Sequence, residues 1–211
     1  LAAGETVYTG WCAMPAPIVA ETIAREGFNT VTVDQQHGLW DTAATVNAIA
    51  AIRAAGAAPV VRVPLGAFAV ASRSLDFGAE GIIAPMINTV ADAKAFVSAT
   101  KFPPLGERSW GPTRAMTLTG IGDMKAYLRD ANENIVTLAM IETKTAMTNI
   151  DAIAAVHGFP APRKQFQGWA QDGRVGGARI VLLKPATYMN ESGRAVRAAP
   201  SAGSVSARAP W

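Results

Sequence analysis

The sequence predicts an α/β protein built on a parallel sheet. Two observations carry this. Short, apolar, β-rich runs alternate with Ala-rich helical patterns along the first three quarters of the chain, and those runs are near-continuously apolar, as strands covered on both faces are. An open doubly wound sheet and a closed (β/α)8 barrel both fit the alternation. The first strand is not followed by a G-x-G-x-x-G turn, so a dinucleotide-binding fold loses its main signature.

In order, TVYTGW is the first strand, and PAPIVAETIAREG a helix with proline near its start and glycine at its end. NTVTVD is the second strand. Asp41 or Thr42 caps the helix DTAATVNAIAAIRAAG. APVVRVP, the short helix AVASRSLDFG, the strand GIIAPM and the helix TVADAKAFVSAT follow. A Pro/Gly-bearing loop, KFPPLGERSWGPTR, leads to a helical stretch near 119–131. NIVTLAMIET is a further buried strand, with TAMTNIDAIAAVHG as its helix. His37 follows VTVD, Arg62 ends PVV and Glu142 ends TLAMI, so all three lie at or just beyond the C-terminal ends of strands. In a parallel sheet these ends open on one side, and a charge there is costly unless it is paired or binds something. Singly, each has a bland explanation: a local salt bridge, a helix cap or a loop tie. Three on one side point to a site.

Composition sets outer bounds. The 211 residues are half apolar and contain one cysteine, Cys12, which excludes an internal disulfide and agrees with a reducing cytoplasm. No apolar run reaches the roughly eighteen residues of a membrane span. LAAGETVYTG lacks an initiator Met and the shape of a signal peptide, and reads as beginning inside a domain. Charge is unevenly placed. Residues 1–159 hold eleven Lys/Arg against fourteen Asp/Glu, net −3, whereas residues 160–211 hold eight against two, net +6. Such a sign change suggests two segments of different origin. A basic segment alone more often marks a solvated surface than a nucleic-acid interface.

VTVDQQHG resembles the strand-2 signature D-x-E-H-[AG] of the HpcH/HpaI aldolases. APVVRVP, GAEGIIAPMINTVADAKAFV, KFPPLGERSWGP and LAMIETKTAMTNIDAIAAVHG are similar, in order, to that family's later segments. The resemblance implies a TIM (β/α)8-type barrel over residues 1–158 and reversible cleavage of a 4-hydroxy-2-oxo acid to pyruvate and an aldehyde through a metal-bound enolate. It further implies Glu142 as metal ligand and Arg62 as donor to the pyruvate carbonyl oxygen. His37 becomes the acid/base group, oriented by Asp34, with Trp11 and Pro85 lining the substrate pocket. The implied metal is Mg²⁺ or Mn²⁺, with Co²⁺ or Zn²⁺ as alternatives. Expected partners are a small 2-oxo acid and an aldehyde and further copies of the chain, without nucleic acid or membrane. Gln36 and Met140 stand where the family commonly has glutamate and glutamine.

After Gly158 the resemblance stops. The family's V-D-G-V-F-I-G-P-A-D-L segment, whose aspartate is the second metal ligand, has no counterpart, and Asp172 and Glu191 are the only later acids. The barrel is therefore expected to be truncated after about six β/α units. Residues 157–197, with R-K-Q-F-Q-G and LLKPATYMNESG, resemble bacterial peptidyl-tRNA hydrolase instead. Asn190 matches an asparagine that helps position substrate in that family. Its catalytic histidine motif is absent, His157 does not match it, and its catalytic aspartate would lie downstream. Locally, QFQGWAQDG and ARIVLLK read as a hairpin around Gly-Gly, TYMNESGRAV as a helix start, and 198–211 as a disordered tail. A hydrolase fragment and an inert chimera are the alternatives to an aldolase.

Overall fold

The computed structural model describes residues 7–155 and the strands at 163–165, 168–175 and 178–185. The chain divides into two compact units. One is Tyr8–Thr148, and the other joins Leu1–Val7 to Asn149–Trp211.

The first unit is a parallel α/β fold. Strands β1 (Thr9–Cys12), β2 (Thr30–Asp34), β3 (Ala58–Arg62), β4 (Gly81–Ala84) and β5 (Val136–Ala139) lie side by side in chain order, every neighbouring pair parallel. Helices α1 (Pro17–Arg25), α2 (Thr42–Ala54), α3 (Phe68–Asp76) and α4 (Val90–Thr100) make the crossovers, with α5 (Thr113–Thr119) and α6 (Met124–Asn134) completing the path to β5. Helix α7 (Lys144–Ala155) follows β5. Among the described residues there are thus five parallel strands, not about six β/α units. Between α4 and β5, residues 101–135 hold a long loop and two helices without a further strand.

Local chemistry sets the boundaries. Pro17 opens α1. Asp41 caps α2 by accepting from Ala44 N–H at 2.7 Å, and Thr89 with Asp92 forms a reciprocal capping box on α4. The sheet's two faces differ. Cys12, Val33, Val61 and Ile82 share one row and are all buried, as are Ile49, Ile52, Leu75 and Phe96 on the helices. Burying each large aliphatic side chain contributes about 1.5–3 kcal/mol. A second cluster under the long connection holds Phe102, Ala115, Tyr127 and Ala131. The opposite face carries Trp11, Thr32 and Val60 in one row and Asp34, Arg62, Ile83 and Leu138 in the next.

In the second unit, β6 (Arg163–Gln165), β7 (Gly168–Val175) and β8 (Ala178–Pro185) form an antiparallel sheet. The hairpin expected from QFQGWAQDG and ARIVLLK is β7–β8. Strand β6 was not anticipated, because three residues are too few to show a period. The expected helix start in TYMNESGRAV and the tail 198–211 lie outside the described residues. Among the described residues, no helix is long and apolar enough to cross a membrane.

Candidate active site

Strand pairing brings Asp34 and Arg62 opposite each other at the C-terminal ends of β2 and β3. Arg62 closes a bidentate bridge, Nε donating to Asp34 Oδ1 at 2.8 Å and Nη2 to Oδ2 at 2.6 Å. Their side chains are 12% and 3% exposed. Trp11 joins from β1: its indole N–H donates to Asp34 Oδ2 at 3.2 Å, and its ring lies 4.8 Å from the Arg62 guanidinium carbon. Asp34 Oδ1 also accepts the backbone N–H groups of Gln36 and His37, at 3.1 and 3.2 Å. Burial alone would raise the Asp34 pKa. The Arg62 hydrogen bonds and charge, the His37 N–H and the Trp11 N–H outweigh it and hold the carboxyl at about 2. Arg62 Nη1 makes no hydrogen bond among the described residues.

Asp34 was expected to orient the His37 imidazole. It holds His37 through the backbone N–H instead, and its carboxylate oxygens are turned to Arg62 and Trp11. The imidazole itself is exposed. Gly38 explains the end of this turn: a Cβ there would sit 2.3 Å from Asp34 O and 2.8 Å from Ala13 O, so only glycine lets the β1 and β2 loops approach. The neighbouring Gln36 leaves its buried Oε1 without a partner in the structure.

Glu142 lies in the loop after β5 and is exposed. Its Oε1 accepts the Met86 N–H at 2.9 Å. Met86, with φ 57°, is the one described non-glycine residue in the left-handed region, and this turn aims its amide at the carboxylate. Two further ties bind the same loops: Ile87 N–H to Met140 O at 3.2 Å, and the Thr143 hydroxyl to the Asn88 side chain. No sequence signal singled out Met86 or Thr143. Pro85 is buried at the base of this loop. The sequence-selected residues thus form two groups: Trp11, Asp34, His37 and Arg62 at β1–β3, and Glu142 with the Pro85–Met86 loop at β4–β5.

A cavity of about 340 Å³, lined by residues such as Arg53, Glu80, Tyr127 and Ile135, lies at the opposite, N-terminal ends of β4 and β5. It shares no residue with the site.

The family described as HpcH/HpaI aldolase/citrate lyase matches residues 8–161, which hold both groups. The chain belongs to that family. A hydroxypyruvate/pyruvate aldolase of Rhizorhabdus wittichii is 41% identical over 74% of this chain and 61% of its own length. A 4-hydroxy-2-oxovalerate aldolase of Novosphingobium aromaticivorans is 38% identical over 72% and 57%. The crystal structure of an HpcH/HpaI aldolase from Desulfitobacterium hafniense superposes with a TM-score of 0.66 at 28% identity, covering 74% of this chain and 60% of that one. The chain therefore spans about three fifths of the length of these relatives. Residues 143–208 match the peptidyl-tRNA hydrolase family.

The family is generally dependent on a divalent metal. The described residues do not by themselves fit one. They contain no group of three or more His, Cys, Asp or Glu side chains able to hold an ion. Glu142 has one oxygen committed to Met86, and Asp34 is spent on Arg62. A hard cation needs several oxygen ligands, and one exposed carboxylate is not a set.

Proposed function

We propose that this chain carries the 2-oxo-acid-binding part of a carbon–carbon lyase that cleaves a 4-hydroxy-2-oxo acid reversibly to pyruvate and an aldehyde. The supporting observation is Arg62, pinned by the two hydrogen bonds it donates to Asp34 and covered by Trp11, with Nη1 left to donate. When the C3–C4 bond breaks, its electron pair passes to C3 and charge gathers on the C2 oxygen. A preorganised guanidinium N–H at that oxygen stabilises the enolate without reorganising at the moment of reaction. His37 takes the C4 hydroxyl proton as the aldehyde forms and returns a proton to C3 to complete pyruvate. Trp11, half exposed, borders the substrate. Glu142 is the residue proposed to meet a metal, Mg²⁺ or Mn²⁺ by the hardness of its oxygen.

In this reading residues 1–158 are a (β/α) barrel segment, 159–197 a peptidyl-tRNA-hydrolase-like segment and 198–211 a tail. The second reading, a hydrolase fragment or an inert fusion, is favoured by the match over residues 143–208. The test is solvent exchange of the pyruvate methyl protons in D₂O, followed by NMR, with and without Mn²⁺ or Mg²⁺. The aldolase reading predicts exchange that is lost in Arg62→Ala and, where metal enhances it, reduced in Glu142→Ala. Cooperatively folded protein giving only the buffer rate under all conditions contradicts it.

A further inference from the structure

The cavity at the N-terminal ends of β4 and β5 takes no part in the proposed reaction, and every residue lining it belongs to the Tyr8–Thr148 unit. At about 340 Å³ it falls within the size of small-ligand pockets, roughly 300–1,000 Å³. One wall is a face of α6: Tyr127, Asp130, Ala131 and Asn134, spaced i, i+3, i+4 and i+7, all line it. A helix face turned inward is ordinarily apolar, yet this one carries a phenol, a carboxylate and a carboxamide. Ile121 and Ile135 add apolar surface.

The hydrogen bonds of this wall select the ligand. The Asn134 amide donates to Asp130 Oδ1 at 2.7 Å, which orients the carboxylate and leaves Oδ2 without a partner among the described residues. The other lining charges, Arg53 and Glu80, pair with each other. The carbonyls at the end of α6 are taken by Lys101, whose Nζ donates to Asn132 O at 2.8 Å and Ile135 O at 2.6 Å. Asp130 is therefore the one lining charge without an ion pair among the described residues. Tyr127 is 4% exposed, and its hydroxyl proton finds no acceptor among the described residues. Burial raises its pKa against the lowering charge of Arg108, so the hydroxyl stays a donor at neutral pH. A free carboxylate oxygen and a buried donor thus stand one helical turn apart. We propose that this cavity binds a small amino alcohol in its ammonium form. The ammonium, which only donates, meets Asp130 Oδ2, and the alcohol oxygen accepts from Tyr127. The carbon chain between them lies on Ile121 and Ile135. An anion would satisfy Tyr127 but face both Asp130 and Glu80. The proposal rests on the cavity and not on the aldolase reading.

The full chain is titrated at neutral pH with propanolamine, butylamine and γ-hydroxybutyrate, three probes of similar length. Binding is read from saturable shifts of the α6 backbone amides in proton–nitrogen correlation NMR. Propanolamine is expected to bind most tightly, butylamine more weakly for want of an acceptor for Tyr127, and γ-hydroxybutyrate not at all. Asp130→Asn should weaken propanolamine at least about tenfold. Tyr127→Phe, which keeps the ring contacts to Phe102 and Trp110, should lower it to the level of butylamine. The ranking of the three probes on the unaltered chain decides even where a variant fails to fold. Absence of saturable α6 shifts in folded chain overturns the proposal. So does γ-hydroxybutyrate binding as tightly as propanolamine, butylamine equalling propanolamine, or propanolamine binding indifferent to both variants. Binding is read without turnover, so a failed exchange assay leaves this outcome unaffected.

Discussion

The two groups of site residues sit on the same side of the sheet but are built differently. At β1–β3, Asp34 takes five hydrogen bonds from Trp11, Arg62, Gln36 and His37, and the charged pair is nearly sealed from water. At β4–β5, Glu142 accepts one backbone amide, that of Met86, and stands exposed. A catalytic arginine must keep its direction in every turnover, and an interior strand pair can enforce it. A carboxylate that meets an ion gains its order from the ion and from the ion's other ligands. The contrast teaches that residues equally prominent in the sequence can differ in how far the fold preorganises them.

Stability measurements sharpen this contrast, and the largest effect is expected at the sealed pair. Asp34→Ala leaves the Arg62 charge buried and uncompensated and should cost about 3–5 kcal/mol in urea denaturation, whereas Glu142→Ala should stay within about 0.5 kcal/mol. A large loss at Glu142 would erase the distinction. Next come the strand interiors. Ile82→Ala, fully buried on the helix-facing side, should cost about 2–5 kcal/mol; Leu138→Ala, at an exposed position, should cost under about 1 kcal/mol.

The pH dependence follows with the sign fixed by Asp34. Its folded pKa of about 2 lies below the ordinary carboxylate value, so its contribution is complete above about pH 4 and is lost as pH falls through about 2. That contribution is roughly 2 kcal/mol. An Asp34→Asn chain should show a correspondingly shallower decline in unfolding free energy across this interval. The smallest effect is at a helix end: Asp41→Ala should cost about 1 kcal/mol in the same assay through loss of the cap to Ala44.

Much of the parallel sheet was legible because it rests on local signals. Apolar runs bounded by Gly, Pro and capping residues marked β1 to β5, and of the two candidate caps of α2, Asp41 and Thr42, it is Asp41 that accepts the Ala44 N–H. The placement of Arg62 and Glu142 at strand ends was equally readable. Partner choice was not. Asp34 lies three residues from His37 and 28 from Arg62, and its bidentate bridge to Arg62 is set by strand register, which the sequence does not display. The tie from Met86 to Glu142 spans 56 residues and uses a backbone amide, so no side-chain pattern encodes it.

The central claim is that Asp34 acts on Arg62 and not on the His37 imidazole. A double-mutant cycle in urea denaturation with Asp34→Asn, Arg62→Gln and His37→Gln tests it directly. Coupling of at least about 2 kcal/mol between Asp34 and Arg62, with coupling between Asp34 and His37 near zero, is the predicted result. The reverse pattern would contradict the account and return Asp34 to the role of imidazole partner.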